Sequence, residues 1–184
     1  IRVFPHNDLD KLASLLESSC SAAAPDARVI VVTESLFSMD GDLCPLREIV
    51  ALKEQHGALL LLDEAHAFGV LGPTGLGLAE DLGLQQQIDF QMGTLSKAAG
   101  LAGGFIATSR AFADLLVNRA RSFVFSTAPP PALCHAATTA LELIRSQEGS
   151  ALRQSLTDNI ALLAAALSGC GLSGCGVPPQ PERS

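Results

Sequence analysis

The sequence has no tryptophan and no tyrosine, and aromatic residues make up only 4% of its 184 positions. With so few rings, a base-stacking platform for single-stranded nucleic acid is not expected. Basic residues are scarce too: 12 Lys and Arg stand against 19 Asp and Glu, for a formal net charge of −7. A nucleic-acid backbone needs the reverse, a clustered basic stripe. No apolar run approaches the roughly 20 residues of a membrane-spanning helix, so no membrane span is expected. The five cysteines (Cys20, Cys44, Cys134, Cys170 and Cys175) are odd in number and form no C-x-x-C pair. That usage suits a reducing compartment, the cytoplasm or an organellar matrix, and points to no metal site.

Three catalytic signatures are also missing. The letters Asp63-Glu64-Ala65-His66 after an apolar strand match the acid box of a helicase-type NTPase. That chemistry needs a G-x-x-x-x-G-K-[ST] phosphate loop, and the chain has none. A serine hydrolase would need a G-x-S-x-G elbow, which is absent. "GPTGLG", residues 72–77, has the wrong glycine spacing for a dinucleotide fingerprint, and no strand feeds it.

What is present is apolar matter, 48% of the residues, in alternating blocks. A chain of this length can bury a sizeable core. Asn7 and Asp8 are cap candidates for a helix with Leu9, Leu12, Leu15 and Leu16 at helical spacing. Residues 27–35, "ARVIVVTES", read as a buried strand. "SMDGD" is turn chemistry. Residues 44–57 predict a helix that starts near Pro45 and stops at Gly57. "ALLLLDE", residues 58–64, is the next buried strand. A Gly-punctuated loop with a short helix follows over 73–83. "IDFQMGTLS" and "GGFIATS" read as strands, residues 110–123 as a helix, and "FVFSTA" as a short strand. From Pro129 to about Ser168 the pattern is helical, with a break expected near Glu148–Gly149. Beyond it, "SGCGLSGCGVPPQPERS" reads as a loose tail.

Strands apolar on both faces and alternating with helices indicate an α/β sheet covered on two sides. In such sheets the reactive residues lie just past the carboxyl ends of the strands. That rule selects Asp63 and His66 after one strand and Glu34 and Ser38 after another. It also selects Thr94, Ser96 and Lys97 after a third, and Ser126 and Thr127 after the predicted strand over 122–125. Asp63 follows four leucines to the rim of a dry interior. A carboxylate there either caps backbone N–H groups or meets a cation. His66 is either a satisfied structural residue or a partner of Asp63. Lys97 is either solvated or, hemmed by small and apolar neighbours, desolvated enough to favour the neutral amine that imine formation needs.

Four blocks, "VTESLFSMDGDLCPL", "LLLLDEAHAFGVLGPTGLG", "GTLSKAAGLAGGFI" and "RSFVFSTAPPP", together resemble the α-oxoamine synthases. These are fold-type I, class II aminotransferase-like enzymes dependent on pyridoxal 5′-phosphate (PLP). The similarity runs from about Val29 to Gly149, and the blocks are specific as an ordered set. The resemblance implies a three-layer α/β large domain with a mainly parallel sheet between helices, here incomplete. Residues 1–147 would be the later portion of the PLP-binding large domain. Residues 148–184 would begin a helical connection to a small domain.

The resemblance also implies roles. Lys97 matches the lysine that binds PLP covalently, and Asp63 the acid that pairs with the pyridine nitrogen. His66 matches a histidine near the phenolic oxygen and Ser38 a serine on the same side. Thr94 matches a threonine of the phosphate neighbourhood. Ser126 and Thr127 match a step that reaches the phosphate in the partner subunit, which implies a homodimer with shared active sites. Lys97 and Asp63 are then expected to line one cavity at one sheet edge, with room for a pyridine ring between them.

The implied reaction is decarboxylative condensation of an amino acid with an acyl-CoA or acyl-carrier-protein thioester. "FSMDGD" and "GTLSKAAG-x-x-GGF" look most like the biotin-pathway branch, which joins L-alanine to a pimeloyl thioester. Serine palmitoyltransferase and glycine C-acetyltransferase share the acid-x-x-His and lysine blocks. The family pattern puts a ring-stacking histidine, a phosphate-binding turn and acyl-binding residues ahead of Ile1. It puts an arginine for the substrate carboxylate after this segment, and Glu64 stands where many relatives have Asp or Ser. The remaining alternatives are a truncated, inactive fragment and an NTPase with the acid-box letters.

Overall fold

The computed structural model describes residues 1–22 and 27–170. The tail expected after Ser168 lies, from residue 171 onward, outside the described residues, and Cys175 with it.

The first helix, α1 (Leu9–Ala22), starts where the sequence placed its caps. The Asp8 carboxylate accepts the Lys11 N–H at 2.8 Å, satisfying one of the amides that a first turn leaves unpaired. Asn7 takes a left-handed backbone, φ 53°, which its short polar side chain tolerates. That side chain then donates to Asp42 at 3.0 Å and to the Leu43 carbonyl at 3.3 Å. The start of the chain is thereby pinned to the turn after the first strand.

The strands β1 (Ile30–Glu34), β2 (Leu59–Asp63) and β3 (Phe90–Thr94) are parallel neighbours. Helix α2 (Leu46–Gln55) crosses from β1 to β2, and the short α3 (Leu78–Asp81) lies between β2 and β3. The fourth strand, β4 (Gly104–Thr108), pairs antiparallel with β3 and gives the sheet order β1-β2-β3-β4. A tight loop of about nine residues joins β3 to β4, too short for the crossover that a parallel pair requires. The expected α/β class and mainly parallel sheet are what is found.

The core gathers Leu12 and Leu16 of α1, Leu46, Ile49 and Val50 of α2, and Leu60 and Leu62 of β2. Leu60 and Leu62 are completely buried. Lys53, near the end of α2, is buried as well. Its ammonium lies 3.1 Å from Asp89, whose same oxygen accepts the Leu60 N–H at 2.8 Å. A buried lysine needs such a partner. At β1 the expected two-sided cover is not supplied by the described residues: Val31 is buried, while Ile30 and Val32 are 50% and 59% exposed.

The later chain departs from the reading in two places. "FVFSTA" is not a strand. Helix α4 (Arg110–Arg119), capped by Ser109, is followed by the single-turn α5 (Arg121–Val124). There the N–H groups of Val124 and Phe125 bond back to Ala120 and Arg121. Aromatic and β-branched letters favour a strand only where a partner strand and a core meet them, and Phe123 and Phe125 are exposed. The second departure concerns the break between α6 (Pro131–Arg145) and α7 (Gln147–Gly169), which falls at Ser146 rather than at Glu148–Gly149. Ser146 is extended, φ −76° and ψ 173°, and its hydroxyl accepts the Gly149 N–H at 3.2 Å. A Cβ on Gly149 would collide with the carbonyls of Leu143 and Ile144. The glycine thus permits close packing over the end of α6 instead of ending a helix.

Candidate cofactor site

The parallel register brings the expected groups to one edge. Glu34 of β1 lies opposite Asp63 of β2, and Asp63 opposite Met92 of β3, two residues before Thr94. All three strands therefore release their chains on the same side, where Ser38, Asp63, His66, Thr94 and Lys97 emerge.

The exit of β2 is held firmly. The carbonyl of Asp63 accepts the Ser35 N–H at 2.9 Å and the Ser35 hydroxyl at 3.1 Å, and Glu64 N–H donates to the Met92 carbonyl at 2.8 Å. The Asp63 side chain is half-buried, and its Oδ1 accepts the Ala65 N–H at 2.8 Å. Of the two sequence alternatives for Asp63, the described residues supply the first: one oxygen accepts a local backbone N–H, and no cation among them pairs with the carboxylate. His66 is half-buried in the turn that follows, and Ser38 is exposed in the turn after β1.

One contact fastens the β2 exit loop to the β3 exit loop, and a second fastens it to β4. Gly69 has a left-handed backbone, φ +79°, and any Cβ there would strike the Cβ of Ala98, the residue after Lys97. Phe68 stacks edge-on against Phe105 of β4, with ring centroids 5.3 Å apart. Gly93 makes room for that ring, since a Cβ there would run into it. The loop carrying Asp63 and His66 and the loop carrying Lys97 are therefore packed on each other.

The Lys97 loop has its own bracing. Leu95 N–H donates to the Gly103 carbonyl at 2.9 Å, Leu101 N–H to the Leu95 carbonyl at 2.8 Å, and Gly100 N–H to the Lys97 carbonyl at 3.0 Å. Thr94 Oγ1 lies 2.8 Å from Ser96 Oγ and 3.2 Å from the Gly103 carbonyl. Lys97 is exposed, and none of the ion pairs among the described residues includes it. The desolvated lysine of the sequence reading is therefore not supplied by this chain's described residues. A cleft of 730 Å³ against β3, β4, α4 and α5 touches this set only through Thr94.

Ser126 and Thr127 are not brought to this edge by a strand. They lie exposed in the link between α5 and α6, and Ser126 donates to the Ser122 carbonyl at 2.6 Å.

Glu64 shows what the letters alone concealed. It is 1% exposed and accepts the N–H groups of Leu78 at 3.0 Å and Ala79 at 2.9 Å. Burial pushes its carboxyl above the ordinary value; those bonds pull it down, and the charge of Asp63 pushes it up. An acid box needs its glutamate free to work on a substrate, and this one is engaged with backbone. Its partners lie 14 and 15 residues away, so no local pattern announced them.

A carboxylate, an imidazole, a primary amine and hydroxyls around one strand edge form a donor set that suits PLP. The acid answers a ring nitrogen cation, the amine an aldehyde, and the hydroxyls a phosphate. The unpaired Asp63 carboxylate beside a loop bearing an unpaired lysine is the observation that fits it.

Comparison with known proteins agrees. The family model for aminotransferase class I and II matches residues 1–181. An 8-amino-7-oxononanoate synthase from Geobacter sulfurreducens is 49% identical over 173 residues, 94% of this chain and 43% of the relative. Among solved structures, a serine palmitoyltransferase from S. paucimobilis with bound PLP–myriocin aldimine superposes with a TM-score of 0.84. It is 32% identical, over 94% of this chain and 43% of that one. An 8-amino-7-oxononanoate synthase from Francisella tularensis gives a TM-score of 0.76 at 26% identity, covering 97% and 50%. The chain spans less than half the length of the curated relatives it matches. It belongs to the aminotransferase class I and II family and, within it, to the α-oxoamine synthases.

Proposed function

We propose that this chain carries the central part of the active site of a PLP-dependent acyltransferase. The reaction would condense an amino acid, L-alanine, with a pimeloyl thioester of CoA or a carrier protein, with loss of CO2, in biotin biosynthesis. The observation that carries the reading is the juxtaposition at the sheet edge. Asp63, without a cation, leaves β2 beside the lysine loop that leaves β3, and Gly69 against Ala98 holds the two together.

PLP, when bound, supplies an electron sink for a carbanion at the carbon bearing the amino group. Asp63 would hold the ring nitrogen protonated. The amine of Lys97 would anchor the aldehyde and later carry the α-proton as a base. His66 and Ser38 would face the phenolic oxygen side, and Thr94 would donate to the phosphate. Ser126 and Thr127, exposed beyond α5, would reach the phosphate held by a second subunit, which makes the working unit a homodimer. Residues 1–147 would then be cofactor domain, and α7 the start of the connection to a small domain.

Identity near one half with several curated 8-amino-7-oxononanoate synthases supports the alanine and pimeloyl choice over the serine or glycine branch. No described helix is long and apolar enough to cross a membrane, and cytoplasm or organellar matrix is the compartment we favour. Titration with PLP, followed by visible absorbance, tests the reading. A new band that is lost in Lys97→Ala is expected. No band in the unsubstituted chain would favour the reading of a segment that cannot hold the cofactor by itself, and ATP hydrolysis without PLP binding would favour an NTPase.

A further inference from the structure

We infer that Arg153 of α7 is a positioning residue that holds the Lys97 loop in place from outside the site, acting through the loop that leaves β2. The inference rests on the PLP reading above and concerns a side chain to which that reading gives no role.

Arg153 is half-buried, and its guanidinium joins two distant pieces of chain. Nη1 donates to the Ile144 carbonyl at 2.6 Å, and Nη2 donates to the Pro73 carbonyl at 2.8 Å. The first is one of the carbonyls that the last turn of α6 leaves without a helical partner. The second belongs to the loop over residues 72–77. A planar fork suits two carbonyls at once, and its charge suits a helix C-terminus. Among the described residues, both side-chain hydrogen bonds that leave α7 for another element are those of Arg153.

The loop that receives Arg153 is stiff. Glu80 Oε2 accepts the N–H groups of Thr74 and Leu76, each at 3.0 Å, and Oε1 accepts the Thr74 hydroxyl at 2.6 Å. Gly75 is left-handed, φ +80°, and a Cβ there would press on Ile144 Cγ2 and Arg153 Nη1. Its carbonyl accepts the Gly69 N–H at 2.7 Å. Gly69 in turn rests on Ala98, the neighbour of Lys97. Every step from Arg153 to Ala98 is a hydrogen bond or a close-packed contact, and such contacts transmit displacement. The bonds inside the Lys97 loop set its shape, and Arg153 sets where that shape sits.

Amide hydrogen exchange of the purified 184-residue chain, read by mass spectrometry without cofactor, tests the link. Arg153→Met keeps the apolar stem and loses both donors. It is expected to speed exchange over residues 95–101 by about ten-fold or more, where the N–H groups of Leu95, Gly100 and Leu101 are bonded, and to leave α2 unchanged. Arg153→Lys keeps the charge without the fork and is expected to recover part of that protection. Lys53→Met breaks the buried pair with Asp89 and is expected to do the reverse, with exchange rising in α2 and not over residues 95–101. In a visible-absorbance titration, PLP is expected to bind Arg153→Met about three- to ten-fold more weakly than the parent. It is expected to bind Lys53→Met within about two-fold of the parent.

Four results would each overturn the assignment: unchanged exchange over residues 95–101 in Arg153→Met, a rise spread evenly over α2 as well, no recovery in Arg153→Lys, or parental PLP affinity in Arg153→Met. The second and third would make Arg153 a general stabiliser. If the unsubstituted chain gives no band with PLP, the functional reading falls, and with it the use of Arg153 at a cofactor site. A parent band with an indifferent Arg153→Met removes this inference alone.

Discussion

Asp63 and Glu64 are adjacent acids with opposite fates, and the difference is solvent. Glu64 is sealed in and satisfied by two backbone amides, whereas Asp63 keeps part of its carboxylate open. Glu64→Ala removes the acceptor of two buried N–H groups. A loss of about 2–4 kcal/mol of unfolding free energy in a urea titration is expected. His6 offers a pH test. Its imidazole sits 2.8 Å from Asp42, and that bond raises its pKa above 6.5, with the charges of Asp42 and Asp40 adding and burial opposing. A raised pKa means the folded chain holds the proton more tightly. The stabilising contribution is therefore fully present below 6.5 and is lost as pH climbs through the folded value. The stability gap between parent and His6→Ala should close on that climb; a constant gap would show that the pair carries no charge. Cys44 is buried and its thiol is pushed up to about 12, chiefly by burial, so it should resist alkylation in the folded chain at pH 8. The exposed Cys134 and Cys170 should label. Peptide mapping by mass spectrometry reads both.

At the scale of elements, the legible parts of the sequence were those set by local chemistry. Asp8 capped its helix, the four leucines of β2 were a strand, and "SMDGD" was a turn. "FVFSTA" failed because its aromatic letters carry no information about whether a neighbouring strand exists. Gly149 was misplaced because a glycine that permits close packing and one that ends a helix look alike in sequence. The site was half legible. The lysine, the acid and the histidine stood at strand ends, but the contact that joins their loops, Gly69 on Ala98, spans 29 positions and leaves no periodic trace. That contact makes an element-scale prediction. Gly69→Ala combines left-handed backbone strain with a collision, so it should cost about 1–3 kcal/mol in urea unfolding. It should also weaken PLP, because the two loops must move apart. A Gly69→Ala chain of parental stability and PLP affinity would show that the loops are not coupled.

For the whole molecule, large apolar residues that include Ile30, Val32, Ile106, Phe123 and Phe125 are exposed on this chain. The proposed homodimer gives Ser126 and Thr127 a use that their position on this chain does not. Mixing subunits tests this. A Lys97→Ala chain paired with a Ser126→Ala, Thr127→Ala chain should regain one tight PLP site per dimer, because the lysine and the hydroxyls come from different copies. No gain on mixing would place the hydroxyls elsewhere.

The central claim is that Lys97 is the amine that holds the cofactor's aldehyde beside Asp63. The chain has only two other lysines, Lys11 and Lys53, and Lys53 is buried against Asp89. Borohydride reduction of the PLP-treated chain, followed by peptide mass spectrometry, reads the attachment point directly. The account predicts a phosphopyridoxyl group on the peptide containing Lys97, at high yield and dependent on Asp63. Label on Lys11, or spread evenly over accessible amines and indifferent to Asp63→Ala, would contradict it.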